Sequence, residues 1–238
     1  MREAGRIVCE VLDVLEKNVA PGITTAELDK IAYDETLKRK AKPAFKGYLG
    51  FPCSLCASVN DEVVHGIPSK SKTLKAGDLM KLDFGVSFKG WVGDSARTVP
   101  VGKVSDAATR VLEVTRESLK RGIAAARAGN RIGDIGHAVQ SYVEAQGCSV
   151  VRDLTGHGIG RKLHEEPRVP NHGDAGTGLL LKAGMTIAIE PMVNAGTHKV
   201  VELEDEWTIV TMDHALSAHF EHTIAITDGE PEILTRTS

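Results

Sequence analysis

Leu74-Lys75-Ala76-Gly77 recurs 107 residues later as Leu181-Lys182-Ala183-Gly184. The same offset carries Pro21-Gly22 before Glu27-Leu28 onto Ala128-Gly129 before Asp134-Ile135, and Glu10-Val11-Leu12 onto Glu117-Ser118-Leu119. Three matches at one spacing, in matching helix–turn–helix and strand contexts, imply a duplicated unit. The chain is therefore expected to form a single domain of two similar halves, roughly residues 1–104 and 105–238, related by a pseudo-twofold.

The local patterns repeat this organisation. Ile7, Val8, Val11, Leu12 and Leu15 share one helical face, and Ala20-Pro21-Gly22 stops that helix. Thr24-Thr25-Ala26-Glu27 is a capping box for a second helix reaching about residue 40. Residues 43–53 read as a Gly/Pro/aromatic loop, followed by strands near 54–60, 62–65, 79–86 and 91–99. Ser105 caps a long helix to about Arg127, and another covers roughly 132–146. Strands follow near 148–153, 185–193, 200–211 and 219–227, separated by glycine-rich loops.

Two apolar runs flank Ser87-Phe88-Lys89-Gly90 and predict a β-hairpin. A loop centred between Phe88 and Lys89 sets Asp83 directly opposite Asp94, with Cβ atoms roughly 5 Å apart. Two like charges there repel and are costly to bury, so a cation is expected between them. The repeat carries Asp83 onto Glu190. Glu221, the next acid on an apolar strand, becomes the twin of Asp94 if about twenty residues are inserted in the second hairpin, and 194–217 is irregular enough to hold them. Any one of these acids alone reads as readily as an outward-facing, salt-bridged side chain. Four in two symmetric hairpins point to a site.

The other landmark is Thr155-Gly156-His157-Gly158-Ile159-Gly160, continuing to His164-Glu165-Glu166-Pro167. Its glycines oppose a stable helix and let backbone approach a ligand closely. Four carboxylates and one imidazole form a hard, oxygen-rich set that suits two divalent ions better than a tetrahedral structural zinc.

Composition narrows the rest. A net charge of −3 offers no basic footprint for nucleic acid. Nothing resembles a signal peptide or a membrane span. Cys53 and Cys56 form a lone CxxC with no second pair to complete a zinc site, so all four cysteines are expected to be reduced thiols in the cytosol. His137, His198, His214, His219 and His222 read as solvated or locally bonded.

Taken together, His65-Gly66-Ile67-Pro68, the Asp83/Asp94 hairpin, the His157 and His164 segments, Ile189-Glu190-Pro191-Met192-Val193 and Phe220-Glu221-His222-Thr223 resemble the type I methionine aminopeptidases of the bacterial kind across essentially the whole chain. The resemblance implies an α+β pita-bread fold, with two pseudo-twofold related α/β halves around a curved antiparallel sheet. It implies removal of the initiator methionine from nascent proteins and peptides, preferably before a small second residue, through water activated by two divalent ions drawn from Co, Mn, Fe(II), Zn or Ni. Asp83, Asp94, His157, Glu190 and Glu221 match the metal ligands, Asp94 and Glu221 the bridging pair, and Glu190 also the general base. His65 matches the histidine near the substrate amine and scissile amide, and His164 the one contacting the peptide oxygen in the tetrahedral intermediate. Tyr48, Phe51, Cys56 and Trp207 match the methionine pocket, with Leu163 at a position often aromatic and Phe45 at one often cysteine. Asn60, Glu62 and Ser217 fall where the family can hold a monovalent cation. A monomer in the cytoplasm, meeting nascent chains through transient ribosome association, is implied as well.

Two other readings compete. X-Pro aminopeptidases and prolidases share the implied fold but normally carry a separate N-terminal domain, for which 238 residues leave no room. A non-catalytic binding protein of the same fold would not need all five ligand positions intact.

Overall fold

The computed structural model describes residues 1–236. The first half runs α1 (Arg2–Asn18), α2 (Thr25–Lys38), β1 (Lys42–Pro43), a 3-10 turn at Tyr48–Gly50, β2 (Cys56–Val59), β3 (Glu62–Val64), β4 (Leu79–Phe88) and β5 (Trp91–Pro100). The second runs α3 (Asp106–Ala125), α4 (Ile132–Ala145), β6 (Ser149–Val150), β7 (Thr155–Gly158), β8 (Glu165–Pro170), β9 (Thr186–Ile189), β10 (Met192–Asn194), β11 (Val200–Glu202), β12 (Ile209–Thr211), β13 (Ser217–His219), β14 (His222–Ala225) and β15 (Glu232–Ile233). All the strand pairings among these elements are antiparallel.

Helix α1 buries the face that its spacing predicts, Ile7, Val8, Val11, Leu12 and Leu15. The capping box forms at α2, where Thr24 Oγ1 accepts from Glu27 N–H and Glu27 Oε2 accepts from Thr24 N–H. These helices cover the β4 side chains Met80, Leu82, Phe84 and Val86 in one core. In the second half α3 and α4 cover Ile187, Ile189, Val193, Ala218 and Ile224 in another. The duplication is legible in the hydrogen bonds themselves. Isolated bridges join Thr24 to Thr73 and Arg131 to Leu180. Gly22 N–H donates to Leu74 O, and Gly129 N–H to Leu181 O.

The hairpin register differs from the sequence expectation. The turn contains only Lys89 and Gly90, both at positive φ (50° and 75°), so Phe88 faces Trp91, Asp83 faces Ala96, and Asp94 faces Gly85. Two positive-φ residues make the tight primed turn that matches strand twist, and this moves the loop centre by one residue. Because side chains alternate with a period of two, Asp83 and Asp94 remain on one face, but as a diagonal pair.

The twin of Asp94 changes with it. The chain travels 21 residues from Leu79 to its partner Pro100, and 39 from Thr186 to its partner Ala225, so the second hairpin carries 18 more. On that alignment Glu221 corresponds to Ala96, and Asp94 corresponds to His219. The extra residues hold β11 and β12, the latter reaching across to pair with β3.

Strand β5 lies beside β13 and β14 along the pseudo-twofold. Thr223 Oγ1 donates to Asp94 O at 2.7 Å and accepts from Asp94 N–H at 3.1 Å. Thr98 Oγ1 does the same for His219, at 2.7 and 2.9 Å. Thr98 and Thr223 are themselves twins, so the two clamps repeat each other across the axis.

Candidate metal centre and substrate pocket

Each acid reaches the cleft for a local reason. Asp83 and Asp94 share the inner face of the β4–β5 hairpin. Pro191 has no N–H to give a ladder, and the second-half sheet is interrupted at Glu190-Pro191 and, facing it, at Phe220-Glu221. Ile189 pairs with His222 on one side of the gap and Met192 with His219 on the other, which brings Glu190 and Glu221 to facing positions. Asn171 Nδ2–H holds the Glu190 carbonyl at 3.0 Å, and Ser95 Oγ–H holds that of Glu221 at 2.6 Å.

His157 sits on β7, a strand where the glycine spacing had suggested only a loop. Its partners explain the glycines. A Cβ on Gly156 would stand 2.3 Å from Ala188 O, and one on Gly158 2.1 Å from Glu166 O. Strand β7 is squeezed between β8 and β9, and only residues without side chains allow it. His157 Nδ1 lies 2.9 Å from Gly158 O, so its Nδ1–H donates there and Nε2 turns to the acids, 3.6 Å from Glu190 Oε1 and 3.9 Å from Asp94 Oδ2.

One cavity of about 160 Å³ is lined by Asp83, Asp94, His157, Glu190 and Glu221, by His65 and His164, and by Phe45, Tyr48, Phe51, Cys56, Leu163 and Trp207. The thirteen residues assigned from the sequence to the metal, the chemistry and the methionine pocket thus line one space, whereas Asn60, Glu62 and Ser217 do not. Leu49 lines it too and was not anticipated; it is 80% exposed in the Gly/Pro/aromatic loop. Trp207 comes from the inserted β11–β12 loop and meets Phe51 edge-on, with centroids 5.1 Å apart. His164 packs edge-to-face on His157, and its Nδ1 is 2.8 Å from the Tyr48 hydroxyl. His65 holds a left-handed backbone, φ 58°, a strained conformation that a non-glycine residue keeps only where its surroundings impose it.

Burial pushes the carboxyls of Asp83, Glu190 and Glu221 well above the usual range, and the neighbouring acids push the same way. Asp94 is pushed up to about 7, mainly by burial. The histidines move oppositely: burial lowers His65 and His157 to about 4, and His164 below its ordinary value. Asp83 Oδ1, Asp94 Oδ1 and Glu221 Oε1 are buried with no hydrogen-bond partner. One ligand atom each from Asp94, His157 and Glu221 fall within 4.8 Å of one another. Orphaned carboxylate oxygens converging with a free imidazole nitrogen fit divalent cations, which would supply the missing partner and reverse the repulsion.

Two further residues lie behind the acids. His219 was expected to be solvated or locally bonded, but it is 1% exposed, neither ring nitrogen has a partner, and Nε2 is 3.8 Å from Glu190 Oε2. Its apolar strand flanks were the available signal. Where the family resemblance implies a monovalent cation, the carbonyls of Asn60 and Ser217 are each 2.8 Å from the Nζ of buried Lys81.

The chain is similar to known proteins along its whole length. The sequence pattern of metallopeptidase family M24 matches residues 1–228. A methionine aminopeptidase of Clostridium acetobutylicum is 52% identical over 235 residues, covering 99% of this chain and 94% of that protein. The crystal structure of methionine aminopeptidase from Thermotoga maritima superposes with a TM-score of 0.98 at 46% identity, over 100% of this chain and 95% of that one. An Xaa-Pro dipeptidase from Bacillus anthracis shares the fold alone, with a TM-score of 0.80 at 23% identity over 100% of this chain and 59% of that one.

Proposed function

The chain belongs to metallopeptidase family M24, and from that footing we propose that it is a methionine aminopeptidase that removes the initiator methionine from nascent proteins and peptides, preferring a small second residue. The observation that carries this reading is a narrow, mostly apolar slot opening directly onto the acid cluster. Phe45, Tyr48, Phe51, Cys56, Leu163 and Trp207 form the slot, and its small volume suits one unbranched side chain with its α-amine at the acids.

Asp83, Asp94, His157, Glu190 and Glu221 are the residues that would hold two divalent ions. The chemistry such ions supply when bound is Lewis acidity towards the amide carbonyl and a lowered pKa for the attacking water. Candidates are Co, Mn, Fe(II), Zn and Ni. Glu190 takes the proton of the attacking water on its carboxylate and passes it towards the leaving amine. His65 stands at the amine and scissile amide. His164, oriented by Tyr48, donates to the peptide oxygen as charge develops there. The pocket binds the side chain and excludes water from around the amide.

The reading extends to a monomer in the cytoplasm that meets nascent N-termini through transient ribosome association. No helix among the described residues is long and apolar enough to cross a membrane. An assay of methionine release from Met-Ala-Ser with Mn, Fe(II), Co, Zn or Ni tests the proposal. Release with at least one metal is expected; no release with any of them refutes it.

A further inference from the structure

Lys81 is one of the largest fully buried side chains in the molecule, at 1% exposure. It lies on β4 two residues before Asp83, and its ammonium is bonded to two backbone oxygens from opposite halves. Asn60 O, in the β2–β3 turn, and Ser217 O, opening β13, each accept from Nζ at 2.8 Å. Both oxygen-bearing residues are tightly tied. Asn60 O also accepts from Ser217 N–H at 3.0 Å, and the Asn60 side chain bonds Asp78 and Leu79 N–H. Ser217 Oγ–H donates to Val193 O. Asn60 adopts φ 55°, which turns its carbonyl to this point. No carboxylate is bonded to Nζ; burial pushes the Lys81 ammonium down to about 7, and Glu62, Asp61 and Asp78 oppose that from a distance while the two carbonyls hold the charged form.

Buried carbonyls converging without a carboxylate form a site for a small monovalent cation. From this arrangement we infer that Lys81 is a built-in monovalent cation, a positioning residue that ties the two halves together behind the acids in place of a free alkali ion. The tie has a direct line to the site. Strand β13 begins at Ser217, carries His219 against Glu190, and leads into Glu221. Strand β13 is also held by its ladder to β10 and by Thr98 at its far end, so the Lys81 bond fixes the position of its first residue relative to the other half rather than the strand itself. Lys81 touches no reacting atom and acts through β13.

The inference rests on the aminopeptidase reading for its activity arm and needs a second readout. Metal-loaded wild type, Lys81→Met and Lys81→Ser are compared in KCl, NaCl and tetramethylammonium chloride at equal ionic strength, by methionine release from Met-Ala-Ser and by melting temperature. Wild type is expected to behave alike in all three salts. Lys81→Met keeps the length but no charge and loses about tenfold or more in rate in every salt. Lys81→Ser opens the carbonyls; it is slow and less heat-stable in tetramethylammonium, and recovers in rate and melting temperature in KCl or NaCl. A wild type that needs an alkali ion overturns the inference, as does Lys81→Met at wild-type rate, or Lys81→Ser indifferent to the cation in both readouts. If Lys81→Met does not fold, the wild type and the Lys81→Ser melting curves still decide. A wild type that releases no methionine refutes the aminopeptidase reading and leaves the melting comparison standing.

Discussion

Asp94 and His219 occupy equivalent positions in the two halves, each with its backbone N–H and C=O gripped by the hydroxyl of a threonine from the opposite half, Thr223 for Asp94 and Thr98 for His219. The duplication has thus placed an acid at one position and an imidazole at its twin. Both point towards the same cluster, Asp94 to His157 and His219 to Glu190. The two clamps are chemically identical, which separates stability from site geometry by experiment.

Thr223→Val and Thr98→Val each strip two buried hydrogen bonds. Both variants should lose about 1–3 kcal/mol of stability in denaturant unfolding. Thr223→Val should also weaken divalent-metal affinity, because Asp94 loses its backbone anchor, whereas Thr98→Val should change metal affinity less. Equal metal affinities in the two variants would contradict the assignment of Asp94 as a ligand.

Glu190→Gln is expected to retain at least one divalent ion and to lose turnover, since ligand and base roles meet in that carboxylate. Metal analysis beside single-turnover kinetics reads both. Normal turnover with metal bound refutes the base role.

His164→Ala should lower kcat by about a hundredfold with a smaller rise in KM, because its contact strengthens as the oxyanion develops. Tyr48→Phe removes the 2.8 Å partner of His164 Nδ1 and should reproduce part of the kcat loss. A pure KM effect in both variants counts against this role.

Removing metal should make the acid cluster a pH-dependent liability. In the metal-free fold Asp94 keeps its proton up to about 7, while the unfolded chain loses it near its ordinary value of 3.8. A carboxyl raised on folding contributes stability below the unfolded value, and that contribution is lost as pH rises through the folded one. Asp83, Glu190 and Glu221 shift in the same direction. Metal must displace these protons, so the rise in melting temperature on adding Mn should be small near about pH 5 and large near about pH 8. A metal effect independent of pH would show that the acids are not the ligands.

Much of the architecture could be read before any coordinates. The α1 face, the α2 capping box and the Ser105 cap are local patterns, set by side chains within a few residues of each other. The offset of 107 survives as paired bridges at Thr24–Thr73 and Arg131–Leu180. The short strands β1, β7, β8 and β15 were not legible, and the one strand read over 200–211 is two, β11 and β12, paired with each other; His157 and its glycines are strand only by virtue of the strands on either side.

The sequence by itself determined the chemistry that gathers here: four carboxylates within apolar runs, imidazoles among glycines, and loop aromatics, in two halves made from one pattern; that Glu190 and Glu221 stand in gaps between strands was set by the fold. Tertiary structure decided how those groups face one another. Asp83 and Asp94 became a diagonal pair because a two-residue turn set the register, and the facing acids proved to be Glu190 and Glu221. The twin of Asp94 became His219 because the insertion was 18 residues long. His219 and Lys81 were drawn inside by strands and turns far from them in the chain. Register and burial are non-local: a one-residue change in a turn moves every partner along a strand, and a polar group's cost depends on what other segments bring to it. Residue types can therefore announce a site, while the fold assigns the contacts.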